Sequence, residues 1–172
     1  MRLSPSAHVD TFCRDNLPPA QQWPEFLYLL PELAYRDRLN CAQELLDRTV
    51  DALGGDRPCL LTPTESWSYA QLLATANRVA HVLTEDLGVV PGNRVLLRGP
   101  NNPWLVACWF GVLKAGGVAV TTVPLLRHGE LRQITEMAQA KVGLCDYRYT
   151  DDLTAAASGM RIVSYGGQEA AG

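Results

Sequence analysis

The segment from Arg94 to Val123 places the strongest constraint on how this chain can fold. It reads as a strand over 94–98, a helix with the sequence WLVACWFGVLKAG after Pro103, and a β-branched strand over 118–123. The helix is apolar nearly all round until Lys114, so it must be buried on more than one side. Strands joined by such a helix predict a parallel sheet with helices on its faces.

The same alternation of strands and helices continues on both sides of that segment. Upstream, Asn40 is predicted to cap a first helix that ends at Gly54-Gly55, and Ser68 and Gln71 form a capping box that starts another. The remaining predicted elements are strands at 59–62, 66–68, 141–145 and 161–165 and helices at 68–87, 129–139 and 151–157. The pattern predicts an α/β subdomain over residues 40–172.

Residues 1–39 differ from the rest of the chain. They contain five prolines, and four aromatic residues fall within Trp23–Tyr35. Prolines at this density forbid a long helix, and the aromatic side chains need a surface to pack against. We therefore expect an irregular arm that packs across the α/β body.

Composition excludes several classes of function. The formal charge of -3 gives no electrostatic reason to expect a nucleic-acid or membrane partner, and no apolar run approaches the roughly 20 residues that span a bilayer. The five cysteines are scattered without a C-x-x-C pair, and the three histidines are equally dispersed. This spacing argues against a disulfide framework and a metal site, and it favours free thiols in the cytoplasm.

The sequence contains no motif that would carry catalysis. The glycine pairs at 54–55, 116–117 and 166–167 match neither G-x-G-x-x-G nor G-x-x-x-x-G-K-[ST], and no G-x-S-x-G is present. Glycine pairs of this kind most often end helices. No carboxylate is tied to a histidine or metal pattern, so we assign no catalytic residue.

A basic cluster follows the strand at 118–123. Arg127, His128 and Arg132 lie in the next turn and helix, at the carboxyl end of a predicted parallel strand, where open α/β sheets bind ligands. Two arginines there could bind phosphate. The alternative is a solvated face or a surface ion pair with Glu130 or Glu136.

The order of short motifs resembles the amino-terminal region of acyl-CoA synthetases and related adenylate-forming enzymes. The matching residues are Gly92-Asn93-Arg94-Val95, Pro100-Asn101, Lys114-Ala115-Gly116 and Pro124-Leu125, in that order, with Asn93 in place of the usual Asp. The sequence WSYAQL resembles the family's T-Y-x-E-L helix start. The arm sequence TFCRDNLPPAQQWPEFLY resembles the benzoate-CoA and 2-aminobenzoate-CoA ligase branch.

This resemblance implies the first subdomain of an AMP-binding domain in an aromatic carboxylate–CoA ligase. Such full-length enzymes use ATP, CoA and Mg to convert an aromatic carboxylic acid into an acyl-adenylate and then a thioester. The family's Ser/Thr/Gly-rich phosphate loop and its adenylation lysine do not occur among these 172 residues. By family analogy the segment Pro124–Arg132 borders the CoA phosphate entrance, so Arg127 and then Arg132 are the candidate CoA contacts.

Three hypotheses about function remain at this point. The chain is an inactive fragment of a CoA ligase, a stand-alone interaction or structural module with the same fold, or an unrelated nucleotide-binding domain. The missing phosphate loop weakens the third. For the first, we expect no useful affinity for ATP or an aromatic acid, and a possible homodimer through apolar surface left exposed.

Overall fold

A four-stranded parallel sheet lies at the centre of the computed structural model, which describes residues 5–36 and 38–167. The strands are β1 (Pro58–Leu61), β2 (Ser66–Ser68), β3 (Arg94–Arg98), β4 (Val118–Thr122), β5 (Val142–Asp146) and β6 (Arg161–Tyr165). The parallel sheet has the order β4–β3–β5–β6, and β1 and β2 form a separate antiparallel ribbon. The predicted α/β class with a parallel sheet is therefore confirmed.

The helices follow the predicted pattern with small shifts at their ends. They are α1 (Phe12–Asp15), α2 (Arg48–Leu53), α3 (Tyr69–His81), α4 (Pro103–Lys114), α5 (His128–Ala138) and α6 (Thr150–Ala156). Two stretches are π-helical, Gln43–Asp47 before α2 and Val82–Asp86 after α3. The predicted helix over 68–87 is thus α-helical only as far as His81.

Local capping signals decide where three of these helical segments begin. The Gln71 backbone N–H donates to the Ser68 hydroxyl at 3.2 Å, and the Ser68 N–H donates to the Gln71 side chain at 2.7 Å. Asn102 caps α4 by accepting from the Leu105 N–H at 2.9 Å, and Asn40 accepts from the Ala42 N–H at 3.0 Å. These bonds satisfy backbone donors that a helix start leaves unpaired.

Each face of the sheet has its own apolar core. Alternate residues of a strand point to opposite faces, so β3 supplies Val95 and Leu97 to one core and Leu96 to the other. The first core is completed by residues of α4, including Cys108 and Val112. The second core packs α5 and α6 against the opposite face, through residues that include Leu131, Cys145 and Leu153.

The amino-terminal arm is attached to the body at one end and exposed at the other. The N–H groups of Val9 and Asp10 donate to the Pro91 carbonyl at 2.9 and 3.0 Å, and Asp10 forms an ion pair with Arg94. By contrast, the large apolar side chains of 26–30 are exposed, with Leu29 81% accessible. The expectation that the whole arm packs across the body is wrong for this stretch, whose large apolar side chains face solvent.

The cysteines are all free thiols, of which two are buried. Cys108 lies in α4 and Cys145 in β5, on opposite faces of the sheet. Burial raises the pKa of Cys108 to about 12 and that of Cys145 to about 11. Neither thiol is therefore activated for nucleophilic chemistry near neutral pH.

Candidate functional site

The carboxyl ends of β3 and β5 form the switch point of the parallel sheet. These two strands are neighbours, but the chain leaves β3 for β4 on one side and leaves β5 for β6 on the other. The loops that follow them therefore separate, and in open α/β sheets such a crevice is the usual place for a ligand. Three loops meet there: 99–102 after β3, 123–127 after β4 and 147–149 after β5.

A buried carboxylate occupies the end of β5. Asp146 is 1% exposed and receives two bonds from the Arg148 guanidinium, Nε to Oδ1 and Nη2 to Oδ2, both at 2.8 Å. Asn102 Nδ2 donates to the same carboxylate at 3.3 Å. The Arg148 side chain holds the pKa of Asp146 below its ordinary value of 3.8. Asp146 is therefore a fully partnered anion that ties two loops together, and it is not poised as a general base.

Tyr165, the last residue of β6, extends across the end of β5 towards β3. Its hydroxyl donates to the Arg98 carbonyl at 3.2 Å, and burial raises the pKa of the phenol. A Cβ at Gly99 would overlap the Tyr165 hydroxyl oxygen and would lie 3.3 Å from the Asp146 Cβ. Glycine at 99 thus leaves the room that the side chains of Tyr165 and Asp146 occupy.

Arg98, the last residue of β3, is fully buried at 0% exposure. Its guanidinium donates Nη1 to the Val123 carbonyl at 2.8 Å and Nη2 to those of Pro124 and Leu126 at 3.1 and 2.9 Å. The Nε–H donates to the Tyr149 carbonyl at 3.1 Å. A single buried side chain therefore holds the loops after β4 and β5.

The predicted phosphate contacts lie on the exposed side of that loop. Arg127 immediately precedes α5, and its side chain is 76% exposed. It forms an ion pair with Asp152 at 3.2 Å, while Glu130 accepts from the Arg127 backbone N–H at 2.8 Å. Arg127 thus lies on a solvated face and forms a surface ion pair, as the alternative reading of the basic cluster allows, but its partner is Asp152 in the first turn of α6 rather than Glu130 or Glu136. Arg132 is exposed further along α5.

Three residues of the switch point carried no role in our interpretation of the sequence. Asp146, Arg148 and Arg98 are charged groups in and beside otherwise apolar strands. A charge at the end of a buried strand must find partners, and that pattern could have marked Arg98 and Asp146. Their partners lie up to 51 positions away in sequence, as for Arg98 and Tyr149, so no spacing in the chain identifies them.

The described residues bring together no cluster of side chains that could hold a metal ion. Across 5–36 and 38–167, no three side chains of His, Cys, Asp or Glu are placed to hold a metal ion. No helix in the same part of the chain has the length and apolar character needed to cross a membrane. The chemistry available at the crevice is that of charge pairing, with Arg127 as the exposed cation of the 123–127 loop.

Comparison with known proteins identifies one family. The family described as AMP-binding enzyme matches residues 46–168, which is most of the chain. The match begins within the π-helical stretch Gln43–Asp47 and ends just after β6, so it contains the whole parallel sheet and the switch point.

Individual relatives are several times longer than the aligned region. The salicyl-AMP ligase / salicyl-S-ArCP synthetase of Mycobacterium tuberculosis is 36% identical over 101 residues, covering 59% of this chain and 17% of that protein. A medium/long-chain-fatty-acid–CoA/3-oxocholest-4-en-26-oate–CoA ligase of Mycobacterium marinum is 33% identical over 113 residues, covering 66% and 20%. The alignments thus span about a fifth of these relatives' length.

Among solved structures, the fold resembles that of the anthranilate CoA ligase AuaEII in complex with anthranoyl-AMP. The TM-score is 0.65 at 25% identity, with 72% of this chain and 24% of that chain covered. In sequence and in structure alike, the similarity covers less than a quarter of a much longer chain.

Proposed function

The chain belongs to the AMP-binding enzyme family, and from that premise we propose that it serves as the amino-terminal segment of an ATP-dependent aromatic carboxylate–CoA ligase. In this reaction a carboxylate attacks the α-phosphorus of ATP, which gives an acyl-adenylate and pyrophosphate. The thiol of CoA then attacks the acyl carbon, and AMP leaves as the thioester forms. The segment contributes one wall of the cleft and none of the reacting groups.

An aromatic acid as substrate is supported by two of the relatives. The names of the salicyl-AMP ligase and of the anthranilate CoA ligase both carry an aromatic acid, and anthranoyl-AMP is bound in the latter. The fatty-acid ligase shows that the same region also occurs with aliphatic acids. The proposal of an aromatic substrate therefore rests also on the arm sequence, which resembles the benzoate and 2-aminobenzoate branch.

The observation that carries the proposal is the 123–127 loop with its exposed arginine. Arg127 lies at the carboxyl edge of the sheet with its side chain 76% exposed. We propose that it contacts a phosphate of CoA, with Arg132 as the weaker second contact. An exposed guanidinium can bind phosphate while the buried groups beneath it keep the loop in place.

The first experiment is to read the source gene beyond codon 172. An open frame that soon encodes a Ser/Thr/Gly-rich loop ending in Pro-Lys supports the ligase, and ATP–pyrophosphate exchange with benzoate, 2-aminobenzoate and octanoate then tests the acid. Exchange with octanoate alone would refute the aromatic substrate. A stop codon after Gly172 would refute the ligase and support a stand-alone interaction module.

The CoA contact is tested by Arg127→Ala in the ligase encoded by that frame. We expect the KM for CoA to rise about two- to fivefold, in proportion to an exposed ion pair, with the rate of adenylate formation unchanged. Arg161→Ala, on the far edge strand, serves as the control. An unchanged KM for CoA would refute the assignment of Arg127.

A further inference from the structure

We infer that Arg98 is a positioning residue that presents Arg127 to the phosphate of the coenzyme, and this inference rests on the proposed CoA contact. Arg98 lies wholly beneath the 123–127 loop, at 0% exposure, and cannot touch a ligand itself. Its effect on binding must therefore pass through the loop that it holds.

The bonds of Arg98 fix the orientation of the loop. Three of the five residues in 123–127 direct their carbonyl oxygens to the one guanidinium, at distances between 2.8 and 3.1 Å. These carbonyl oxygens therefore point away from solvent. If they faced solvent, their partial negative charge would repel a phosphate. The outward surface carries instead the apolar side chains of Val123 and Leu125, which are 54% and 85% exposed, and the guanidinium of Arg127.

A shared carboxylate links the two arginines. Asp152 Oδ2 lies 3.2 Å from Arg127 Nη1 and 3.8 Å from Arg98 Nη2. The single negative charge of Asp152 is therefore shared between Arg98 and Arg127. As a result, the charge of Arg127 is only partly neutralised. A phosphate can therefore bind Arg127 without first displacing Asp152.

Arg98 is better suited to this task than a lysine would be. Its planar fork donates simultaneously to four carbonyl groups from two loops. A lysine ammonium has three donors on a flexible stem and cannot reproduce that planar arrangement. Arg98→Lys should therefore keep the charge and relax the loop.

The strand itself provides a matched control at Arg94. It lies four residues earlier on the same face of β3, and its side chain is 7% exposed. Arg94 donates to the carbonyls of Ala138 and Gln139, at the opposite end of α5. Arg94→Lys therefore perturbs the same helix and strand but leaves the 123–127 loop untouched.

The test is a titration of the 172-residue chain with CoA and with dephospho-CoA, which lacks the 3′-phosphate, followed by amide chemical shifts up to millimolar ligand. We expect the natural chain to prefer CoA, and Arg127→Ala to abolish that preference. Arg98→Lys should remove only part of the preference, about twofold at most, and Arg94→Lys should leave it unchanged. Pro124→Gly, which loosens the loop without touching the core, should act in the same direction as Arg98→Lys.

A double-mutant cycle separates positioning from general destabilisation. If Arg98 acts through Arg127, the Arg98→Lys/Arg127→Ala chain should bind CoA no more weakly than Arg127→Ala alone. Additive losses, or a preference for CoA that is undiminished in Arg98→Lys, would overturn the inference alone. A natural chain that binds both ligands equally would overturn the proposed coenzyme contact, and the inference with it.

Discussion

Arg94 and Arg98 stand at the two ends of β3, face the same side of the sheet and are both buried, yet they do different work. Arg94 meets a carboxylate, Asp10, and its guanidinium lies 4.4 Å from the centre of the Phe12 ring, so it fastens the arm. Arg98 meets mainly backbone carbonyls, so it shapes a loop. The difference teaches that a buried charge can hold a separate segment at one end of a strand and prepare a surface at the other.

The largest expected effect comes from removing the guanidinium at the carboxyl end. Arg98→Met leaves four backbone carbonyls without their donor, so we expect the free energy of unfolding to fall by at least about 3 kcal/mol. Arg94→Met should cost only about 1–2 kcal/mol, because its partners Asp10, Ala138 and Gln139 are at least partly exposed and water can replace the lost bonds. Urea denaturation measures both, and equal losses would mean that the two ends are equivalent.

A glycine also lies near each end of β3, Gly99 at the carboxyl end and Gly92 at the amino end. Substitution of each glycine tests how the two ends differ. Gly99→Ala puts a Cβ against the Tyr165 hydroxyl, so we expect a loss of about 1–3 kcal/mol on thermal unfolding. Adding Tyr165→Phe should recover part of that loss. Gly129→Ala in α5 is the control, since nothing lies within 4 Å of its Cβ and alanine favours a helix. A double variant that loses the sum of its single losses would contradict the overlap.

At the amino end, Gly92→Ala should release the arm and spare the body. Gly92 has φ of +94°, and a Cβ there would overlap the Asp10 carbonyl oxygen. We expect a cost of about 1–2 kcal/mol and faster tryptic cleavage after Arg14. Gly88→Ala has a similar positive φ of +66° with nothing within 4 Å of its Cβ, so it should carry the cost of the left-handed backbone alone, without exposing the arm. Equal cleavage rates would argue against contact between the arm and Gly92.

The smallest effect is the dependence of the arm on pH. The Phe12 N–H, followed by the Arg94 guanidinium, holds the pKa of Asp10 below its ordinary value of 3.8. Attachment that depends on the ionised carboxylate is complete above 3.8 and is lost as the pH falls through the lowered pKa. The Phe12 amide resonance should therefore move as the pH falls below 3.8 and should not move in Asp10→Asn, which we expect to lower Tm by a few degrees at most. An identical titration in both chains would exclude Asp10 as the cause.

Local signals predicted most of the fold. The Ser68–Gln71 capping box and the alternation of strands with helices need only neighbouring residues, and both are confirmed. The order of the four strands followed from no local pattern, because it depends on crossovers between distant segments. The exposed stretch 26–30 was misjudged because its apolar composition predicts burial without saying against what.

The candidate site was predicted less completely than the fold. The loop with Arg127 could be singled out, because a basic cluster after a parallel strand has a known geometric meaning. The groups that hold it could not be identified, since Arg98 finds its partners 25 to 51 positions downstream. The sequence RVLLR has an arginine at each end, Arg94 and Arg98. The different partners of these two arginines are set by the folded structure and cannot be inferred from this sequence alone.

The two buried thiols give this chain a pair of built-in reporters of local opening. Cys108 lies under the α4 layer and Cys145 under the α5–α6 layer, and burial leaves little thiolate at either near neutral pH. Alkylation of each must therefore wait until its own helical layer separates from the sheet, whereas the exposed Cys41 can react at once. The order in which the two thiols become labelled would reveal which side of the sheet opens first.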